Sequence, residues 1–474
     1  MLDLAPRQRP HLWGIHLEAD LGSQFVIFPC RLSRGLLRLE RWNNIPQTKE
    51  RPIMKIQNVV TTTLALAVLT VSPTIKADEV TDWNAIMQTT VSAGNANIQA
   101  RSAAIAQVAV FEAVNSIVGD YEPYLGMTAP EGASPNAAAV AAAYTTLATL
   151  YPASNAVLNA SLAVSLAQIP DGLAKDAGIA FGQEAAVAML LLRANDGAAT
   201  AQSVPYTPGM NPGDWQPAPP TFTVASQPGW GLVIPFGLQA GSQFRLPPPP
   251  PLNSGKYARD YNEVKLVGNT NAGPDIRPQD RTDVARFFSV SSPVQAWNLG
   301  ARQVSAAQGR SLSENARIFA LLNMAILDAS IAAYDTKYFY NTWRPIMAIR
   351  GGDLDGNHKT EPDAGWFPLI TTPAFPSYPS AHATLSTAAR TVLERVLGKH
   401  NLAITLTSPR APGIVLNYTD WETICDDIDD ARVYGGIHFR FEQEAGGHQG
   451  RAVGHYILKA YLRRTHGDRD CDRD

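Results

Sequence analysis

The sequence predicts an all-α protein: two packed helical bundles joined by a long Pro-rich loop. Three observations carry this. Apolar residues recur at helical spacing from Asp78 to about Gly197. The pattern collapses between Val204 and Leu252, where Pro247 to Pro251 form an unbroken run. It then resumes at Ser254, and convincing alternating strands are scarce, Ala403 to Leu406 being the best short candidate.

Each element follows from local signals. Ile98, Ile105, Val108, Val114 and Ile117 lie near helical spacing, and Gly119 can end that helix. Ala137 to Leu150 and Ala156 to Gln168 read as helices broken by Pro152 and Pro170. Ala174 to Ala194 is another, stopped by Asn195 and Gly197. Residues 204–253 read as a covering loop, whose Trp215, Phe222, Trp230 and Phe236 could pack onto a surface. Ser311 followed by Glu314 is a capping-box pattern, and the helix after it runs toward Lys337. Ser380 to Leu397 and Glu444 to Tyr461 complete the helical set. The resulting division is an N-terminal helical region at 78–203, the loop at 204–253 and a catalytic region at 254–474.

The first residues read differently. Residues 1–53 lack a clear period and read as an extension outside the folded protein, or as a tethering segment. Met54, Lys55 and the apolar run Val59 to Val71 resemble an export signal ending at Ala77, so residues 54–77 are expected to be removed and the product secreted or periplasmic. No later stretch offers the ~20 apolar residues of a membrane span. A net charge of −3 argues against a general nucleic-acid binder, which needs a basic face. Cys425 and Cys471 could pair in an oxidising compartment or remain two thiols. Asp353-Leu-Asp355-Gly356-Asn357 starts like a calcium loop, but lacks the closing bidentate Glu and reads as a turn.

Three segments carry chemistry. In the first, Lys337 and Arg344 are seven positions apart, about two helical turns, among Tyr334, Tyr338, Phe339, Tyr340 and Trp343. Cations among aromatics are commonly desolvated, and a desolvated charge needs an anionic partner. The second is Pro379-Ser380-Ala381-His382. It reads as a helix start whose free N–H groups attract an anion, with Ser380 adding a hydroxyl and His382 placed to move protons. The third holds Arg432, His438 and Glu442, the last two four apart and expected to face each other on a helix. A carboxylate on one imidazole nitrogen leaves the other free as ligand or nucleophile. Together these residues amount to a site for a tetrahedral oxyanion.

Their order and spacing resemble the vanadium-dependent haloperoxidase and type 2 phosphatidic acid phosphatase superfamily, in its secreted bacterial-type branch. That signature is Lys, six residues, Arg-Pro; then Pro-Ser-Gly-His; then Ser-Arg, five residues, His, three residues, Asp. It appears here as Lys337 to Arg344-Pro345, Pro379-Ser380-Ala381-His382, and Ala431-Arg432 to His438 to Glu442. The opening Asp82-Trp83-Asn84 and the stretch Glu112 to Asn115 resemble secreted members more loosely.

The resemblance implies that Lys337, Arg344 and Arg432 hold the equatorial oxygens, and that Ser380 and the N–H of Ala381 add hydrogen bonds. It makes His382 the acid–base group and His438 the axial vanadium ligand, or the nucleophile that forms a phosphohistidine. Glu442, Trp343 and Phe375 would form the surrounding layer. Ala381 for Gly, Ala431 for Ser and Glu442 for Asp are departures that delete no charge and no imidazole. Trp343 and Phe375 look like the haloperoxidase branch, and Phe375 is similar to the chloroperoxidase pattern. The expected cofactor is vanadate and the expected substrates are hydrogen peroxide and halide, with Lys337 polarising the bound peroxide. The alternatives are a secreted acid phosphatase acting on small phosphate esters without a cofactor, and a helical scaffold that only binds phosphate.

Overall fold

Local caps set the ends of the helices in the computed structural model, which describes residues 78–92 and 94–465. The expectations for residues 1–53, residues 54–77 and Cys471 lie outside the described residues. Asp78 opens α1 (Glu79–Val91) through a capping box with Thr81. Asn95 caps α2 (Ala96–Val118), and Gly119 closes it in the left-handed region at φ 84°. Ser134 with Pro135 starts α3 (Pro135–Leu150). Next come α4 (Asn155–Ala167) and α5 (Leu173–Arg193).

After the Pro-rich segment the order is α6 (Gly255–Val267), α7 (Gln279–Val290), α8 (Pro293–Gln308), α9 (Leu312–Tyr340), α10 (Pro345–Arg350) and α11 (Ala381–Leu397). The hairpin β1 (His400–Leu406) and β2 (Leu416–Asp420) follows, then α12 (Trp421–Tyr434) and α13 (Arg440–Ala460). The Ser311–Glu314 capping box is formed as its spacing predicts. The strand expected at Ala403 to Leu406 is longer and pairs antiparallel with β2, which has no clear alternation of its own. Helix α13 begins four residues earlier than its apolar pattern suggests.

The long helix α9 is shared by both bundles. It packs against α2 on one side and against α11 and α13 on the other. One apolar core therefore runs from α1–α5 through α9 into α11–α13. By length and composition α9 could cross a membrane, which corrects the expectation that no stretch could. It is instead a core helix, with 94% of its apolar window buried. Its buried polar groups find partners inside: Asn323 bonds Asn298 at 2.9 Å, and Asp328 accepts three backbone N–H groups.

Helix α13 meets α11 through Gly446 and Gly450. A Cβ at Gly450 would lie 2.1 Å from the Thr384 carbonyl oxygen, so only glycine permits this approach. The contact brings the start of α13 beside the start of α11.

The segment 204–253 forms short turns and covers a surface, as its composition suggests. Trp215, Trp230 and Phe236 are buried, whereas Phe222 is exposed, contrary to the packing expected of it. The segment is tied to the two stretches that carry the site. Trp215 N–H donates to Asn341 O, Trp343 N–H to Gly213 O, Ser226 N–H to Ala374 O, and Tyr378 Oη–H to Pro247 O. Asp328 anchors its far end, taking Phe236 N–H on Oδ1 at 2.7 Å and Gly237 and Leu238 N–H on Oδ2 at 2.7 and 2.9 Å. Asp328→Ala strands three buried donors at a cost of about 1–3 kcal/mol each, less the relief of desolvating the carboxylate. We expect a net loss of at least about 2 kcal/mol in chemical denaturation; an unchanged midpoint would refute this anchor.

Asp355 closes its own loop, accepting from Asn357 N–H and Thr360 Oγ1–H, so the calcium-like stretch is a turn. Among the described residues no cluster of His, Cys, Asp and Glu could hold a metal ion. Cys425 is buried and has no disulfide partner among the described residues.

Candidate oxyanion site

The three segments meet where α9 ends, α11 starts and α13 starts. Lys337 lies in the last turn of α9, whose carboxyl end suits a cation. Asn341 stops that helix in the left-handed region at φ 53°. Arg344 comes after it, as the extended N-cap residue of α10, held there by Pro345. Ser380 is the N-cap of α11 and its Oγ accepts from Ala383 N–H at 3.4 Å. The N–H of Ala381, the first residue of α11, has no intrahelical acceptor.

His438 corrects one expectation. It precedes α13, with Phe439 as N-cap, so it does not face Glu442 across a helical turn. Glu442 instead folds back from the first turn. Its Oε2 accepts from His438 Nδ1 at 2.6 Å, Phe439 N–H at 3.0 Å and Ser377 Oγ–H at 2.8 Å. Three donors on one oxygen favour the carboxylate and place the imidazole proton on Nδ1. Nε2 is then the lone-pair nitrogen, and Arg344 Nη1 donates to it at 3.0 Å.

Ser377 was not legible as a site residue. It is fully buried, its carbonyl accepts from Lys337 Nζ at 2.7 Å, its N–H donates to Thr342 O at 2.9 Å, and its hydroxyl holds Glu442. It thus ties the first segment to the third. Two positions before Pro379, it carries no local pattern that marks it.

The cations are arranged unequally. Lys337 donates to the carbonyls of Pro376, Ser377 and Pro379 at 3.0, 2.7 and 2.5 Å, so all three of its protons are engaged. Reaching an oxyanion would require one of these bonds to open. Arg344 donates from Nε to Phe375 O at 2.8 Å and from Nη1 to Ile437 O at 3.0 Å, while buried Nη2 has no partner. Arg432 donates from Nη1 to Phe288 O at 3.1 Å, while buried Nε has none. The Phe375 ring lies beneath the cations, its centroid 5.2 Å from Lys337 Nζ and 4.8 Å from Arg344 Cζ. Trp343 packs in the adjoining aromatic cluster with Tyr257, Tyr378, Phe439 and Phe441.

Lys337, Arg344, Arg432, His438 and Glu442 are buried, whereas His382, Ala381 and Phe375 are half-buried. Burial, then Arg344, holds the Lys337 ammonium well below its usual range. Burial lowers Arg344 to about 10 and, with Arg344 beside it, Arg432 to about 9. Both imidazoles are held well below the usual range, by burial first and then by the three cations. Burial raises the Glu442 carboxyl to about 7, against the opposing pull of Lys337 and Arg344. Three buried cations therefore face one carboxylate. That imbalance, two unpartnered guanidinium nitrogens and a neutral imidazole lone pair fit a multiply charged tetrahedral oxyanion such as vanadate or phosphate.

Comparison with known proteins agrees with this geometry. The family profile described as the VCPO second helical-bundle domain matches residues 317–467. Vanadium chloroperoxidase of Curvularia inaequalis is 23% identical over 365 residues, a match covering 59% of each chain. A solved bacterial vanadium-dependent iodoperoxidase superposes with a TM-score of 0.69 at 25% identity, covering 81% of this chain and 97% of that one. The apo form of a bacterial vanadium-dependent chloroperoxidase gives 0.64 at 16% identity, over 77% and 95%, and at that identity it speaks for the fold alone. In its helical fold, its matched domain and its three spaced segments, this chain is similar to the vanadium-dependent haloperoxidases.

Proposed function

We propose that the protein is a vanadate-dependent haloperoxidase that oxidises halide with hydrogen peroxide. The observation that carries this is the pair of unpartnered buried guanidinium nitrogens, Arg344 Nη2 and Arg432 Nε, in a pocket with a neutral His438. The named relatives are a vanadium chloroperoxidase and a vanadium iodoperoxidase, which supports the halide chemistry.

In this reading Arg344, Arg432, the Ser380 hydroxyl and the Ala381 N–H bind the oxyanion's oxygens. Lys337 adds charge while bracing the 376–379 carbonyls. His438 would offer Nε2 as a ligand to vanadate, its tautomer held by Glu442 and Glu442 held in turn by Ser377. Vanadate, when bound, supplies a Lewis-acidic centre that activates peroxide. His382, half-buried and neutral, would serve as the acid–base group, accepting a proton from hydrogen peroxide at its imidazole and passing it on to solvent. Phe375 keeps the cation side of the site dry, which strengthens every charge interaction within it.

The test is a matched pair of assays. Protein loaded with orthovanadate is given hydrogen peroxide with iodide, bromide or chloride, and halogenation of a chromogenic acceptor is followed. The vanadate-free protein is given p-nitrophenyl phosphate. We expect halogenation that depends on vanadate, and little ester hydrolysis. Ester hydrolysis without halogenation would replace this reading with that of a phosphatase; activity in neither assay would leave a phosphate-binding scaffold.

A further inference from the structure

We infer that a groove between α1, α8 and residues 406–410 is a second binding site, for a small aromatic carboxylate. The groove has a volume of about 430 Å³, within the range of roughly 300–1,000 Å³ usual for small-molecule sites. Its accessible apolar surface comes from Ala85, Val290, Leu299 and Pro409. Arg302 and Arg410 line it as well, and no Asp or Glu is among its lining residues.

Arg302 is the unusual member. It is half-buried, and its one hydrogen bond goes from Nη1 to the amide oxygen of Asn84 at 2.6 Å. Asn84 is itself locked to Asn298 at 2.8 Å, and Asn298 to Asn323. The guanidinium is therefore rigidly presented, yet no carboxylate comes within ion-pair distance among the described residues. Several other part-buried arginines meet carboxylates: Arg281 has Asp427 and Asp430, Arg390 has Glu394, and Arg440 has Glu263 and Asp430; Arg317 and Arg350 instead donate to a carbonyl and lie over an aromatic ring. Burial of the unpaired group lowers it to about 10. Arg410, exposed on the groove's other wall, donates to Ser92 O at 2.9 Å and makes no ion pair among the described residues.

Two unpaired guanidinium groups above an apolar surface call for a ligand with both features. A carboxylate matches the guanidinium fork with two parallel hydrogen bonds. A flat ring would cover Val290 and Leu299, which inorganic phosphate would leave wet. A neutral aromatic would leave Arg302 unpaired. The groove is also distinct from the oxyanion site: Phe287 and Val290 of α7 line it, whereas Phe288 O of the same helix accepts from Arg432.

The experiment is calorimetric titration of the full chain, saturated with inorganic phosphate so that the oxyanion site is occupied. The probes are 2-naphthoate and its neutral counterpart 2-naphthol. We expect saturable binding of naphthoate at one equivalent, at least about tenfold tighter than naphthol. Arg302→Gln and the exposed Arg410→Gln should each weaken naphthoate at least about fivefold, and Arg302→Lys should retain more affinity than Arg302→Gln. Circular dichroism checks that the variants fold, and Arg410→Gln, which touches no core, keeps the test open should Arg302→Gln misfold. Equal binding of the two probes, unchanged affinity in Arg410→Gln, or no saturable binding would overturn the proposal.

Discussion

Replacing His438 with alanine is expected to lower vanadate-dependent halide oxidation at least about a thousandfold, in line with removal of a group that bonds the reacting centre. The change leaves the anion-binding cations in place. Arg344 Nη1 keeps its bond to Ile437 O, and Glu442 Oε2 keeps Ser377 Oγ–H and Phe439 N–H. Phosphate affinity, read by calorimetry, should therefore fall by about tenfold or less while turnover collapses. That split distinguishes an axial ligand from a residue that merely shapes the pocket, which would move both together. Should the variant retain more than a tenth of wild-type turnover, the proposed ligand role of His438 is wrong.

Arg344→Lys keeps the charge but removes the fork. The guanidinium binds Phe375 O, Ile437 O and His438 Nε2 at once and has Nη2 left over for an anion. An ammonium on a flexible stem cannot span these acceptors and still reach the oxyanion. We expect phosphate and vanadate to bind about a hundredfold more weakly, equivalent to about 2.7 kcal/mol. Phosphate is expected to raise the melting temperature of the parent and to lose that effect in the variant, since stabilisation follows ligand concentration over Kd. A dissociation constant within threefold of the parent would mean that charge alone, and not the guanidinium geometry, holds the anion.

The site was legible in the sequence as an inventory. The spacings of Lys337, Arg344, Ser380, His382, Arg432, His438 and Glu442 lie in three short segments, and each residue type has a chemical meaning without a fold. Their bonding was not legible. Nothing local says that Lys337 spends its protons on three carbonyls, or that Ser377 steadies Glu442 from 65 positions away. The spacing of His438 and Glu442 suggested a helical pair. The same two residues do meet, but across the start of α13, because Phe439 takes the N-cap position. Trp343 packs in the aromatic cluster that includes Phe439, whose N–H donates to Glu442.

By itself the sequence determined the helices, their caps, the breaking of the pattern at the Pro-rich segment, and the set of groups able to bind an oxyanion. These depend on periodicity, on capping chemistry within a few residues and on side-chain type. Only the tertiary structure decided which nitrogens stay unpartnered, which imidazole proton is held, and how far each charge is shifted. Those properties arise from desolvation and Coulomb interaction between groups up to about 100 positions apart, from Lys337 to Glu442. They come into being when the close α11–α13 contact and the covering segment exclude water from around them.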